Sequence, residues 1–447
     1  MIKIHSDAAK NFNLKASDLL KKVKGGKPPE STQASFHPEV YIKGTITEKD
    51  IVGDISSGMV NGFGNKVAYF FQMNGQEVGI YNEDYKQVSI LSEKIFQQKS
   101  ISRYCSLETI KKLLCEWIKQ KYSDPTFFDF YNYLEKEINQ SIKQFNVLIP
   151  ITELSIQKTF KIGKIIFKPI IKELINSWEL QLLQRYQDKE ADVKNLISKE
   201  FRPFQGYTAA TISINAESER AKEIAYEETN KALNMLRIFS IAALHPKAYS
   251  PCAIWGSTFI DQTRIILFDA EEFHSLNKAI VGFPQRPEIL DIEKIKSNYE
   301  MGLGIIDKLL DSDSLTPFAQ DVLDALTIYS RCTISKNITD KLIYILVSLE
   351  SIFIRDSSEP IRQNLSERIA LFTGKSIEER KVIIKIVRTA YDLRTSFVHH
   401  GATIDDFETM ENFMLRAWVT ITSLIEVTPN FRIREEFLDA IDNKKLL

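Results

Sequence analysis

From Ile338 to the C-terminus, apolar residues recur at three- and four-residue steps in four successive stretches, and this periodicity constrains the fold of the 447-residue chain more than any other feature. Residues 340–354 put Leu342, Ile345, Leu346, Leu349 and Phe353 on one stripe. Residues 364–373 contribute Leu365, Ile369 and Phe372, and Gly374 stands where a helix would stop. Residues 377–400 are expected to turn Val382, Ile383, Ile386, Val387, Ala390 and Leu393 inward, with Gly401 as the next stop. Residues 413–427, which include Trp418, make the last strong segment. Four such helices in about 110 residues predict a bundle.

Upstream the patterning is mixed. Residues 1–37 read as loosely structured, with Lys24-Gly25-Gly26-Lys27-Pro28-Pro29 a basic break. Residues 41–47 alternate, 67–73 are aromatic-rich, and Asn74-Gly75 signals a hairpin before 78–81. Helical periodicity covers 107–121 and 127–145. Strands are expected at 147–154, 160–162, 164–167, 208–215 and 263–268. Helices are expected at 171–199 and 218–243 and throughout from 291 on. The fold class is therefore α+β, mainly α: mixed N-terminal and middle regions with short strands, then a C-terminal helical bundle. At roughly 100–200 residues per domain, the length allows two to four domains. The expected partition is an N-terminal region at 1–145, a middle sensor or regulatory region at 146–330, and the bundle at 338–447.

Lys plus Arg total 58 against 59 Asp plus Glu, which excludes a protein that coats nucleic acid by bulk charge. The balance persists from Ile338 on, with 15 basic and 17 acidic side chains, so an RNA site there must rest on a few placed groups. Cys105, Cys115, Cys252 and Cys332 form no C-x-x-C pair. Their scatter argues against a structural zinc site and a secreted disulfide framework, and for thiols kept reduced in a cytoplasm. The start, Met1-Ile2-Lys3-Ile4-His5-Ser6, lacks an export h-region. Apolar runs reach about seven residues where a spanning helix needs about 20. The expectation is a cytoplasmic protein with no membrane partner.

Chemistry concentrates at the end of the third bundle helix, where Arg394 and His399 stand in an R-x4-H spacing. Five residues rotate a regular helix by about 500°, leaving the two side chains about 140° apart. Either the helix is distorted, or the long Arg side chain curls round, or a second copy completes the site. The residue types suit phosphodiester chemistry on RNA. Arg offers a permanent fork of donors to phosphate oxygens, and His exchanges a proton near neutral pH. Thr395 or Ser396 would add a hydrogen bond to the phosphate. Of the adjacent His399 and His400, one should face the site; His399 is preferred and His400 is a support. Lys381, Lys385 and Arg388 share a helix face, which is either a track for an RNA backbone or a solvated surface. Glu350 would position Arg394 or Arg368, or form a buried structural ion pair.

Other candidates are weaker. Residues 58–66 carry glycines but lack G-x-x-x-x-G-K-[ST], since Asn65 precedes Lys66 and Val67 follows. Ser396 and His399 have no visible oxyanion loop or third triad member. Cys115 reads as core, and Trp255, Phe127, Phe128, Phe130 and Tyr131 read as core packing or as base-stacking groups.

Three stretches resemble the HEPN superfamily, and within it the Apea-like branch: Ile345-Leu346-Val347-Ser348-Leu349-Glu350-Ser351-Ile352-Phe353, Leu365-Ser366-Glu367-Arg368-Ile369-Ala370-Leu371, and Tyr391-Asp392-Leu393-Arg394-Thr395-Ser396-Phe397-Val398-His399-His400-Gly401. The resemblance covers the C-terminal quarter. It implies a helical bundle that forms a homodimer, joining two R-x4–6-H motifs into one ribonuclease site without metal or other cofactor. Arg394 matches the motif Arg and His399 the motif His. Glu350 and Arg368 match positions of the pattern. Thr395 departs from the Asn, Asp or His often found after the Arg, although Apea-like members commonly carry a small hydroxyl residue there. The family context implies RNA as substrate, a role in anti-phage defence (abortive infection) or a toxin-type response, and a phage-derived trigger or regulatory protein as a possible partner. The departure at Thr395 and the near-zero charge keep an alternative open. In it the bundle is a catalytically silent dimerisation or RNA/nucleotide-binding module, with a partner-binding N-terminal region.

Overall fold

In a computed structural model of the chain, residues 4–25, 68–73, 76–257, 262–269, 272–280, 288–401 and 406–445 are described. The strand expected at 41–47, the break at 26–29 and the glycine-bearing stretch 58–66 lie outside them. The first elements are α1 (Ser6–Leu20), β1 (Lys24–Gly25), β2 (Ala68–Met73), β3 (Gln76–Tyr81), α2 (Glu83–Phe96), α3 (Lys99–Ser102), α4 (Leu107–Ser123) and α5 (Phe130–Ser141). Next come β4 (Lys143–Thr152), β5 (Leu154–Ile156), β6 (Phe160–Ile162), β7 (Ile165–Pro169), α6 (Lys172–Arg185), α7 (Glu190–Leu196), β8 (Thr208–Ala216), α8 (Ser218–Arg237) and β9 (Ala253–Ile254). The rest are β10 (Gln262–Asp269), β11 (Glu272–Ile280), β12 (Glu288–Leu290), α9 (Ile292–Asn298), α10 (Gly304–Asp311), α11 (Pro317–Ile334), α12 (Ile338–Phe353), α13 (Ile361–Thr373), α14 (Ile377–His400), α15 (Phe407–Val427) and α16 (Arg434–Asp442). The architecture is α+β and mainly α. Among the described residues no helix is long and apolar enough to cross a membrane.

The chain divides into two compact units, Met1–Phe145 with Ser213–Ile224, and Asn146–Ile212 with Ala225–Leu447. In the first unit, Met73 lies opposite Gln76 across the antiparallel β2–β3 pair, while the hairpin signal Asn74-Gly75 lies outside the described residues. Strand β1 adds to the other edge of β3. Helices α1, α2, α4 and α5 bury one shared core that includes Leu19, Tyr85, Leu91, Ile95, Leu114, Trp117, Phe130 and Ile138. The Trp117 indole N–H donates to the Phe128 carbonyl at 3.0 Å, so burial of that ring leaves no donor unmet.

The second unit holds a five-stranded sheet in the order β6-β7-β8-β4-β9 and a parallel β5–β12 pair. The periodicity expected to run to residue 145 stops at Ser141. Beyond it Phe145, Val147, Ile149 and Ile151 alternate, and the strand period prevails in β4. The helix expected at 171–199 breaks at Tyr186, which takes φ −124°, ψ 60° and separates α6 from α7. The strand expected at 263–268 is one arm of a hairpin, with β11 as the unanticipated second arm.

The bundle forms where the apolar stripes require it. Leu342, Ile345, Leu346, Leu349 and Phe353 of α12 are all buried. Helix α11 packs along α12, and the Ser348 hydroxyl donates to the Ala325 carbonyl at 2.7 Å. Phe437 of α16, which lies beyond the four striped segments, stacks into Phe318, Phe353, Phe372 and Phe431, with ring centroids 5.1–5.6 Å away. One expected core position is corrected. Val382 is 53% exposed, while Ile383, Val387 and Ala390 are buried. A step of one residue turns a helical side chain by about 100°, enough to carry Val382 off the inner stripe.

Candidate functional site

Helix α14 delivers the motif, and its ends are locally determined. Ser376 caps the start by accepting from the Glu379 N–H at 3.1 Å, and the Glu379 carboxylate accepts from the Lys375 N–H and from Arg416 of α15. Gly374 precedes that cap in a crowded place. A Cβ there would lie 2.7 Å from both the Ala370 carbonyl oxygen and Cγ of Arg380. At the far end Gly401 takes φ +63°, the left-handed conformation that stops a helix, and its N–H returns to the Phe397 carbonyl at 2.8 Å. The helix is unbroken from Ile377 to His400, so Arg394 and His399 leave it in different directions. A distorted helix is thereby set aside as the way to bring them together.

Arg394 is half-buried against α12. Its Nη1 donates to the Tyr391 hydroxyl at 3.1 Å, and its guanidinium carbon lies 5.3 Å from the centre of the Tyr391 ring. Tyr391 in turn lies beside the carboxylate of Glu350, close enough for each to perturb the other. Burial pushes the Glu350 carboxyl above its ordinary range, against the pull of Arg394 and Tyr391. Burial also raises the Tyr391 hydroxyl, and the Glu350 charge adds to the effect. Two atoms of this cluster are shielded and unpaired: Nε of Arg394 and Oε1 of Glu350.

The contrast with Arg368 is instructive. Its side chain is 4% exposed and every one of its N–H donors is used. Nη1 serves Glu359 and the Phe353 carbonyl, Nη2 serves Glu359 and Asp442, and Nε serves Asp442, all within 2.7–3.1 Å. The Arg368 hydrogen bond holds the Glu359 carboxyl down to about 2. Glu350 therefore stands with Arg394, and Arg368 is neutralised by other carboxylates. Arg368 is a closed structural node, whereas Arg394 spends one hydrogen bond and keeps the others.

The remaining expected residues separate into two groups. His399 and His400 are exposed, with ring centroids 6.4 Å apart, and exposure does not distinguish them. Ser396 is half-buried. Thr395 is exposed, but its hydroxyl donates back to the Tyr391 carbonyl at 3.0 Å. Lys381 and Lys385 are exposed. Arg388 leaves the expected basic track: its Nε donates to the Ser366 hydroxyl at 3.2 Å and its Nη2 pairs with Glu367 at 3.6 Å. Both partners lie on α13, which the spacing within α14 does not reveal.

Tyr391 was missed as a partner, although its i,i+3 relation to Arg394 was a readable signal. Lys341 was missed too. It is fully buried in α12 and donates to the carbonyls of Ala248 (2.6 Å) and Ala242 (3.4 Å). Burial lowers its ammonium to about 8. Of the aromatic candidates, Phe130 is core, Phe128 is exposed, and Trp255 is partly exposed with its ring packed edge-on against Phe204 and Tyr207. Cys115 is buried, as its place in an apolar helix predicts. Among the described residues no three His, Cys, Asp or Glu side chains are placed to hold a metal ion.

No family model matches the chain, and neither does any curated protein or solved structure.

Proposed function

We propose that the chain is a metal-independent endoribonuclease that works as a homodimer through its C-terminal bundle, in a cytoplasmic anti-phage or toxin-type response. The observation that carries this reading is the state of Arg394. It is held by one hydrogen bond and one ring face with its other donors kept, one and a half helical turns before an exposed His399. A guanidinium so placed can grip a phosphate through two parallel N–H···O bonds. The unbroken helix favours a site in which Arg394 of one copy and His399 of the other meet at the same phosphate.

In that reaction Arg394 holds the non-bridging oxygens of the scissile phosphate and stabilises the charge that grows on them. The ribose 2′-hydroxyl attacks the phosphorus, and the bond to the 5′-oxygen breaks. His399 moves the proton, taking it from the nucleophile or giving it to the leaving oxygen. The products carry a cyclic phosphate and a 5′-hydroxyl. Lys381 and Lys385 lend two exposed charges to the RNA backbone, and residues 1–330 sense a trigger or restrain the nuclease.

The test is RNA cleavage by the full chain in EDTA, alongside Arg394→Ala and His399→Ala. Each substitution is expected to lower cleavage at least about 100-fold, in keeping with the usual worth of a proton-transfer or charge-stabilising group. Folded variants that still cleave like the parent refute the proposal. A second reading, the catalytically silent binding module, is favoured by the back-turned Thr395 hydroxyl, which the helix itself occupies. It predicts RNA binding without cleavage under any triggering condition.

A further inference from the structure

We propose that Tyr391 is the positioning residue of Arg394, setting the guanidinium so that its remaining donors meet a phosphate oxygen without a search. The inference rests on Arg394 being a phosphate-binding group. An arginine side chain has many rotamers, and a group that must be ordered at the moment of binding loses affinity and rate. Tyr391 removes that freedom in two ways. It stands one turn before Arg394, where i,i+3 side chains meet, and its ring lies against the guanidinium carbon at 5.3 Å. Its hydroxyl accepts one hydrogen bond, from Nη1 at 3.1 Å. Glu350 of α12 lies beside the same hydroxyl, and its charge acts on it. The support therefore runs from a buried position in the bundle, through Tyr391, to the end of the arginine.

The donors left over give the arrangement its direction. Nη2 makes no hydrogen bond among the described residues, and Nε has none either. Nε is shielded from solvent, so the donors left for a phosphate are those of Nη2, at the end of the guanidinium. Arg368, on the neighbouring helix of the same bundle, fills both of its edges with carboxylates and a carbonyl. Tyr391 thus contributes stack and hydrogen bond while leaving Nη2 open. A carboxylate directly on Arg394 would have occupied that nitrogen and cancelled the charge.

Tyr391→Phe separates these roles, since it keeps the ring and removes the hydroxyl. In the full chain it is expected to keep the parent's thermal midpoint and to lower kcat for RNA cleavage about tenfold, the worth of one hydrogen bond to a charged group, with KM changed less than about twofold. Glu350→Gln is expected to lower kcat in the same direction by a smaller factor. A kcat for Tyr391→Phe equal to the parent's, while Arg394→Ala is inactive, overturns the positioning role and leaves the ribonuclease reading standing. If the parent cleaves no RNA, the ribonuclease reading falls and binding decides the present inference. The probe is then a single-stranded oligonucleotide with 2′-deoxy sugars. Arg394→Ala is expected to lower the slope of log affinity against log salt by about 0.7, the value of one phosphate contact, and Tyr391→Phe to weaken binding about fivefold. Parent-like affinity in either variant overturns the inference.

Discussion

Replacing Arg368 by alanine is the sharpest test of how the bundle is held together. The substitution removes five donors at once and leaves Glu359 and Asp442 facing each other with no guanidinium between them. The magnitude follows from the carboxylate. Glu359 falls from 4.5 to about 2 in the folded chain, chiefly through the Arg368 hydrogen bond. At 1.36 kcal/mol per unit, that corresponds to about 3 kcal/mol of stability at neutral pH. Breaking a buried pair by removing one partner costs about 3–5 kcal/mol in general, so the two routes agree. The sign with pH is set by the direction of the shift. A carboxyl held low contributes its stability above its unfolded value and loses it as pH falls through the folded one. The parent should therefore weaken between about pH 4.5 and about pH 2, and Arg368→Ala should lose much of that slope. Asp442, held low against burial by Arg368 and Arg355, steepens the same limb. The assay is urea unfolding of the full chain from pH 7 downward, with hydrogen exchange over α12, α13 and α16 to assign the transition. A variant within about 1 kcal/mol of the parent at pH 7, or with an undiminished acid limb, would refute the reasoning.

Three further outcomes are expected. Lys341→Met should cost about 1–3 kcal/mol, because it orphans two buried carbonyls. Since the folded ammonium titrates near 8 against an ordinary 10.5, the parent should gain stability relative to this variant as pH rises from about 8 to 10.5, and equal slopes in urea titrations would contradict it. Gly401→Ala should cost about 1–2 kcal/mol through its φ of +63°, where the structure leaves open space and only backbone strain acts, and a thermal midpoint equal to the parent's would argue against it. Val382→Asp should be tolerated within about 0.5 kcal/mol, whereas Val387→Asp should cost more than about 3 kcal/mol or prevent folding; similar expression and urea midpoints for the two would show that the inner stripe is misplaced.

The helices of the bundle were open to reading along the chain, because each is specified by information within a few turns. The stripe Leu342–Ile345–Leu346–Leu349–Phe353 lies on one face by the 3.6-residue repeat alone, and all five are buried. Ser376 and Gly401 bound α14 through hydrogen bonds to residues three or four positions away. Local rules therefore sufficed for the span Ile377–His400. They failed where two periods compete, as at the passage from α5 to β4, and β11 went unread although its partner strand β10 adjoins it in sequence.

The charged side chains divide in the same way. That Arg394 and His399 share one helix, about 140° apart, is a property of the sequence and of helical geometry. Which arginine is spent and which is kept is decided by tertiary contacts. Arg368 meets Asp442 from 74 residues away, Arg388 meets Ser366 and Glu367 of the preceding helix, and Arg394 meets Tyr391 with Glu350 behind it. A guanidinium reaches several ångströms in any direction, and its environment is set by whichever helix packs beside it, so no spacing along a single helix can encode its partner. The sequence by itself determined the helices and the residues they carry. The packing of α13 against α16 determined that Arg368 is closed, and the packing of α12 against α14 set the surroundings of Arg394.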